Sequence, residues 1–444
     1  MALIAIDMIP MLPGGANGGV KLLALELIKG FQKLSQTDRF VVLTASWNHQ
    51  ELAALDSPNT QRICVVNMPE QQHADINGSQ AQTPTLVKRL RRMYHLLPRR
   101  IRERMSRDAL LRLTGKVRGM YEVFQNRHRK YPDHDGFLSA LNVDVLFCPF
   151  TAPNMAEPGI SVVSLVCDLQ HRDYPQFFSA HQINERDIFF NQVKKKADAV
   201  ICISENTRCS VIRHLGIRAD KVHAVPICIQ SRLPGFNATR VDQDQDLSDL
   251  RIDKNPYMFY PANFWPHKNH QMLITAYGMY LSRHPDSRLD LVLTGALDEA
   301  RNSLQDKIRR MGLAGRVHFL GYLPENQLSS VWRGCSFLIF PSLYEGFGIP
   351  VLEAMEFGKP VLCSNSTSLP EVAGNAALFF DPRKPAEIVE CIEKITVGNS
   401  LYHDLVTRGY ENLARYRWQD MVEKYLNCIE MVIARRVQMP TNLK

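Results

Sequence analysis

The sequence predicts an α/β protein made of two doubly wound, Rossmann-like domains facing a central cleft. Its 444 residues exceed what one ordinary core accommodates. Short apolar, β-rich runs alternate with helical patterns in two successive series, as parallel sheets with crossover helices require. A polar stretch with five aspartates between Asp242 and Asp253 separates the two series and suits a linker.

The first series opens at Leu3 to Asp7. The apolar start from Met1 to Ile9 is interrupted by Asp7 and follows no basic segment, so it reads as a strand rather than a signal peptide. Next comes Pro13-Gly14-Gly15-Ala16-Asn17-Gly18-Gly19, ahead of a helix with apolar Val20, Leu23, Ala24, Leu27 and Phe31. Glycine loops at strand-to-helix junctions let backbone N–H groups reach phosphate, although a plain flexible turn fits Gly14 and Gly15 as well. Further strands are expected at Phe40 to Ala45, Ile63 to Asn67, Val143 to Cys148, Val162 to Cys167 and Val200 to Ser204. The second series comprises Met258 to Tyr260, Leu289 to Thr294, Val317 to Leu320, Phe337 to Phe340, Pro360 to Cys363 and Leu378 to Phe380. The expected domains span 1–232, with a basic helical insertion near 86–130, and 256–417. The linker spans 233–255, and a terminal helix and tail span 418–444.

Composition narrows the class. The apolar content of 45% is that of a globular protein, and no stretch approaches the roughly 20 apolar residues that cross a bilayer. Ten cysteines occur singly, without Cys-x-x-Cys pairs or histidines at zinc-ligand spacing. A reducing cytoplasm fits them best. Asp242-Gln243-Asp244-Gln245-Asp246 has the look of an Asp-x-Asp metal site but no apolar strand before it, and Asp133-His134-Asp135 fares the same. No metal and no cofactor is required by the sequence.

Charge is concentrated. From Lys88 to Lys130 there are fifteen Lys or Arg and three acidic residues, against a net +8 for the whole chain, so the remainder is net acidic. Leu86, Val87, Leu90, Met93, Tyr94 and Leu97 have helical spacing, which predicts an amphipathic helix with arginines opposite its apolar face. An anionic membrane surface is the favoured partner and a solvated insertion the alternative. Nucleic acid is disfavoured, since no recognised nucleic-acid motif accompanies the charge.

The most informative segment runs from Phe340-Pro341-Ser342-Leu343-Tyr344-Glu345-Gly346-Phe347-Gly348-Ile349-Pro350-Val351-Leu352-Glu353 through Gly358-Lys359-Pro360 to Leu369-Pro370-Glu371. It predicts a strand, a glycine-rich turn and a short helix that opens near Pro350 and stops at Gly358. The bare N-terminus of such a helix attracts anions, and phosphate is the obvious candidate. Glu345 and Glu353 frame the turn and can accept hydrogen bonds from sugar hydroxyls.

Glu345, seven intervening residues and Glu353, set in Glu-Gly-Phe-Gly-Ile-Pro-Val-Leu-Glu-Ala-Met, resemble the signature of the family 4 retaining glycosyltransferases of GT-B fold. The resemblance implies a donor domain in the C-terminal half, an acceptor-side N-terminal domain, and a final helix, near Trp418 to Arg435, that crosses back onto the latter. It implies that Glu353 holds ribose hydroxyls, Glu345 the transferred sugar, and Lys268 with the Gly346, Phe347, Gly348 and Ile349 amides the diphosphate. The family's Arg-x4-Lys pair is similar to Asn263 and Lys268, with Asn263 donating a hydrogen bond but no charge. Cys167-Asp168-Leu169 stands where the family reads His-Asp-Leu. His171 is then the candidate to orient an acceptor hydroxyl, with a satisfied structural histidine as the other reading and Cys167 as a remote nucleophile. Gly321-Tyr322-Leu323 lies where the family's backbone meets the base, and Ser204 reads as a helix N-cap or a donor contact.

The expected activity is retaining, metal-independent transfer of a hexose, mannose as first assignment, from a nucleotide-diphosphate sugar to a lipid-linked or envelope glycan at the cytoplasmic membrane face. A nucleotide-sugar epimerase or hydrolase of the same fold, or a non-catalytic glycan- or membrane-binding protein, is the alternative.

Overall fold

The computed structural model describes residues 1–13, 18–67, 136–229, 233, 247–252, 254–295 and 300–438. Gly14 and Gly15, the basic run from Lys88 to Lys130 and both aspartate motifs lie outside the described residues.

The first sheet takes β1 (Leu3–Asp7), β2 (Arg39–Ala45), β3 (Thr60–Val66), β4 (Val145–Cys148), β5 (Ser161–Val166), β6 (Ala199–Cys202) and β7 (Val222–Ala224). All pair parallel, in the order β3-β2-β1-β4-β5-β6-β7. Their sequences are apolar on both faces because helices cover both faces, and β4, β5 and β6 are buried throughout. β7 is an edge strand that the sequence reading does not contain. Its three residues, Val222-His223-Ala224, are too few to make an apolar run, and register with Val200, Ile201 and Cys202 creates the strand.

The second sheet takes β8 (Tyr257–Pro261), β9 (Asp290–Thr294), β10 (Val317–Gly321), β11 (Phe337–Phe340), β12 (Val361–Ser364) and β13 (Ala377–Phe380). Its order, β10-β9-β8-β11-β12-β13, is again parallel. In each domain the winding direction reverses between the first strand and the fourth. Sheets of this kind bind ligands beyond the carboxyl ends of the strands at that reversal. The relevant ends are β1 and β4 in the first domain, and β8 and β11 in the second.

Six helices position the cleft: α1 (Gly19–Leu34), α2 (Ala180–Lys196), α3 (Glu205–Leu215), α4 (Ile349–Glu356), α5 (Leu369–Ala373) and α6 (Trp418–Gln438). α6 returns to the first domain. The Trp418 indole donates to Glu26 at 3.3 Å, and the ring of fully buried Tyr425 meets Phe147 edge-on at 6.2 Å. One continuous apolar cluster therefore runs from α1 and β1 through α6 into the second sheet. Among the described residues no helix is long and apolar enough to cross a membrane.

Candidate active site at the interdomain cleft

The reversal of the second sheet brings two distant segments together. β8 ends at Pro261 and leads into the single turn Pro266–Lys268, while β11 ends at Phe340 and leads into the glycine-rich loop. Leu343 N donates to the His267 carbonyl at 2.8 Å, and the Tyr260 hydroxyl donates to the Lys268 carbonyl at 2.7 Å. So anchored, Lys268 Nζ lies 2.6 Å from Glu345 Oε1, with both side chains largely enclosed at 15% and 12% exposure. Phe340 lies beneath the ammonium, 5.6 Å from ring centroid to nitrogen. Seventy-seven residues separate this cation and carboxylate in sequence, and sheet topology alone pairs them.

The loop turns into α4 at Gly348, whose φ of +106° is disfavoured for a residue with a side chain. The helix then begins at Ile349 with Pro350 in its first turn. No protein partner of the Phe347, Gly348 and Ile349 N–H groups is found among the described residues. They form the positive end of the helix, where anions are favoured. Glu353 lies one turn further in, 2% exposed. The first domain closes over this end: a Cβ on Gly19, at the start of α1, would sit 3.4 Å from the Ile349 side chain. Gly321 ends β10 with φ +72° and accepts from Gly295 N at 2.9 Å, so the β9 and β10 ends run together beside Asn263. Tyr322 projects outward at 81% exposure and Leu323 turns inward.

The first domain supplies the opposite wall from the end of β5. The Cys167 carbonyl faces Gly346 so closely that any Cβ there would collide with it. Burial, and then Asp168, pushes the Cys167 thiol up to about 12, leaving no thiolate to act as a nucleophile at neutral pH. Asp168 Oδ1 accepts from Gln170 N at 3.0 Å. His171 is not brought to the cleft surface. It is 1% exposed, stacked on Phe190 at 5.3 Å, and bonded through Nε2 to Asp187 on α2 at 3.1 Å. Burial lowers its pKa, partly opposed by that bond. The geometry therefore matches the structural alternative for His171, because the aromatic face of α2 draws the ring into the domain.

Four residues at the cleft escape the sequence reading or gain a second role. His267 precedes Lys268, and burial together with that cation pushes its imidazole down to about 3, against the pull of Asp168 from the other domain. Tyr344 accepts from Leu169 N at 3.4 Å, also across the cleft. Ser204 caps α3 by accepting from Thr207 N at 3.0 Å, and it also donates to the Gly346 carbonyl at 2.7 Å. Glu371 accepts from the backbone of Glu205 and Asn206. The local signals were an N-cap serine and a Pro-Glu helix start, neither of which reveals a partner about 150 residues away.

The chain is similar to known sugar transferases in sequence and in fold. Residues 242–412 match the family described as glycosyl transferases group 1. The O-antigen chain mannosyltransferase B of Escherichia coli is 27% identical over 58% of this chain and 67% of its own length. The serotype-specific mannosyltransferase WbdA of Escherichia coli is 30% identical over 53% of this chain, and the O-antigen chain mannosyltransferase RfbU of Salmonella typhimurium 30% over 51%. The chain spans only 29% and 58%, respectively, of the last two. Among solved structures, HepE of Anabaena in complex with UDP and glucose superposes with a TM-score of 0.64 at 17% identity, covering 97% of this chain and all of that one. WaaG, a glycosyltransferase involved in lipopolysaccharide biosynthesis, gives 0.62 at 13% identity, covering 95% and 98%. The fold is that of the GT-B glycosyltransferases.

Proposed function

We propose that this protein is a retaining, metal-independent hexosyltransferase. It takes a sugar, mannose as first assignment, from a nucleotide-diphosphate donor and adds it to a lipid-linked or envelope glycan. The observation that carries this is the convergence of Lys268, Glu345 and the free N-terminus of α4 at the reversal of the second sheet. An ammonium and a helix N-terminus together suit a diphosphate, and a carboxylate beside them suits sugar hydroxyls. The mannosyltransferases among the relatives support the choice of sugar.

In this reading the diphosphate takes Lys268 away from Glu345 and lies against the Gly346 to Ile349 amides. Glu353 accepts from the ribose hydroxyls, and Gly321, Tyr322 and Leu323 border the base. Glu345, released from Lys268, holds the transferred sugar. The bond from the anomeric carbon to the leaving phosphate oxygen breaks while an acceptor hydroxyl bonds that carbon on the same face. The hydroxyl proton passes to the departing phosphate oxygen, so no protein nucleophile is consumed, in keeping with the protonated Cys167 thiol and the buried His171. The basic run from Lys88 to Lys130 supports an acceptor held at an anionic membrane surface.

Calorimetric titration with GDP-, UDP- and dTDP-sugars tests the reading. One series should bind, and Glu353→Ala should weaken it at least about tenfold, equivalent to about 1.4 kcal/mol. Binding of none of them, or binding indifferent to Glu353→Ala, overturns the assignment.

A further inference from the structure

Leu369-Pro370-Glu371 stands out in the sequence, and the transferase reading above gives it no role. In the fold, residues 367–371 touch the donor loop with one end and the other domain with the other. At the loop, Glu345 N donates to Thr367 Oγ1 at 3.0 Å, and Ser368 Oγ lies 3.0 Å from the Glu345 carbonyl and 2.8 Å from that of Phe347. Across the cleft, the Glu371 carboxylate accepts from Glu205 N at 2.7 Å and Asn206 N at 3.1 Å, the first two residues of α3. A helix N-terminus favours a carboxylate through its unpaired N–H groups and its dipole.

The carbonyl between those two loop contacts is held from the other side. Gly346 O accepts from Ser204 Oγ at 2.7 Å and lies 3.3 Å from Thr207 Oγ1, both hydroxyls belonging to residues with no solvent exposure. Thr207 Oγ1 is also 3.2 Å from the Cys167 carbonyl, beneath which Gly346 fits only because it lacks a side chain. The Gly346 carbonyl is therefore bonded from the first domain, while the single Ser368 hydroxyl of the second domain shares its hydrogen between the carbonyls of Glu345 and Phe347 on either side. Fixing three successive carbonyls fixes the directions of the N–H groups that alternate with them.

We propose that Glu371 and Ser204 form an interdomain clamp that couples closure of the cleft to the shape of the donor loop. When the first domain seats on Glu371, Ser204 reaches Gly346 and the loop amides point into the cleft; when it lifts away, the Gly346 carbonyl loses its buried donors and the loop relaxes. Both are positioning residues, acting on the donor through the backbone of Glu345 to Phe347. The catalytic consequence rests on the transferase reading above, whereas the clamp does not.

Hydrogen exchange followed by mass spectrometry on the intact protein, with small-angle scattering and steady-state kinetics, tests this with Glu371→Ala and the isosteric Glu371→Gln. The Ala variant should exchange the hydrogen-bonded amides of Glu345, Glu205 and Asn206 at least about tenfold faster than wild type, since local opening there costs less. It should scatter as a more extended particle and lose turnover by about tenfold or more. The Gln variant, whose amide oxygen still accepts, should fall between the two. A normal thermal melt with unchanged exchange and scattering in Glu371→Ala overturns the clamp. Faster exchange in a protein whose wild type transfers no sugar keeps the clamp and removes the transferase reading.

Discussion

Asp7 closes β1 at the reversal of the first sheet, 1% exposed; Oδ1 accepts from Ile9 N at 3.1 Å, and Oδ2 has no partner among the described residues. Desolvation raises this carboxyl from an ordinary 3.8 to about 7, so the folded protein keeps a proton that the unfolded chain has released. The stabilisation is full below about pH 3.8 and is lost as pH rises toward 7. His267 and His270 act oppositely: burial takes each from 6.5 to about 3, and their contribution is lost as pH falls through that interval. Asp7→Asn removes only the first effect. In urea titrations it should gain on wild type between pH 4 and pH 8 by up to about 4 kcal/mol, the value of such a shift at 1.36 kcal/mol per unit. A difference that does not change with pH contradicts the assignment. The roles given to Glu345 and Glu353 come from the family resemblance, but their placement at a strand-to-helix turn was legible in the surrounding glycines and Pro350. His171 was not, because whether its ring points to the cleft or into the domain depends on Phe190 and Asp187, which only the packing of α2 supplies.

The proposed donor site rests on the unit β11, loop and α4, whose geometry turns at Gly348. A side chain there would meet the Leu369 side chain and would have to take a φ of +106°. Gly348→Ala should lower stability by about 1–3 kcal/mol, the ordinary cost of such backbone strain. It should also weaken donor binding more than a surface substitution of equal destabilisation, because the strain is relieved by turning the Ile349 amide away from the diphosphate. Thermal melts and calorimetry separate the two effects; a variant with wild-type donor affinity contradicts the role given to the helix N-terminus. Every strand except β7 lies within a few residues of its sequence expectation, since buried parallel strands are continuous apolar runs bounded by polar turns. β7 exists through pairing with β6, a property that three residues do not encode by themselves.

At the scale of the molecule, two sheets of the same winding, a returning helix and the contacts of Gly346, Glu371 and Tyr344 make one closed cleft. The division into two units was legible from the repeated alternation, which the two parallel sheets follow. The contacts that shut the cleft were not, because each joins residues about 140 to 175 apart whose local surroundings explain them equally well as caps or core. Transfer is the property of the whole assembly, and the anomeric configuration of the product reports it most directly. With GDP-mannose, whose anomeric carbon is α, and a glycan acceptor in the presence of a metal chelator, proton NMR of the product should show a new α-linked mannose at an undiminished rate. A β-linked product, free mannose as the sole product, or activity abolished by the chelator would contradict a retaining, metal-independent transferase.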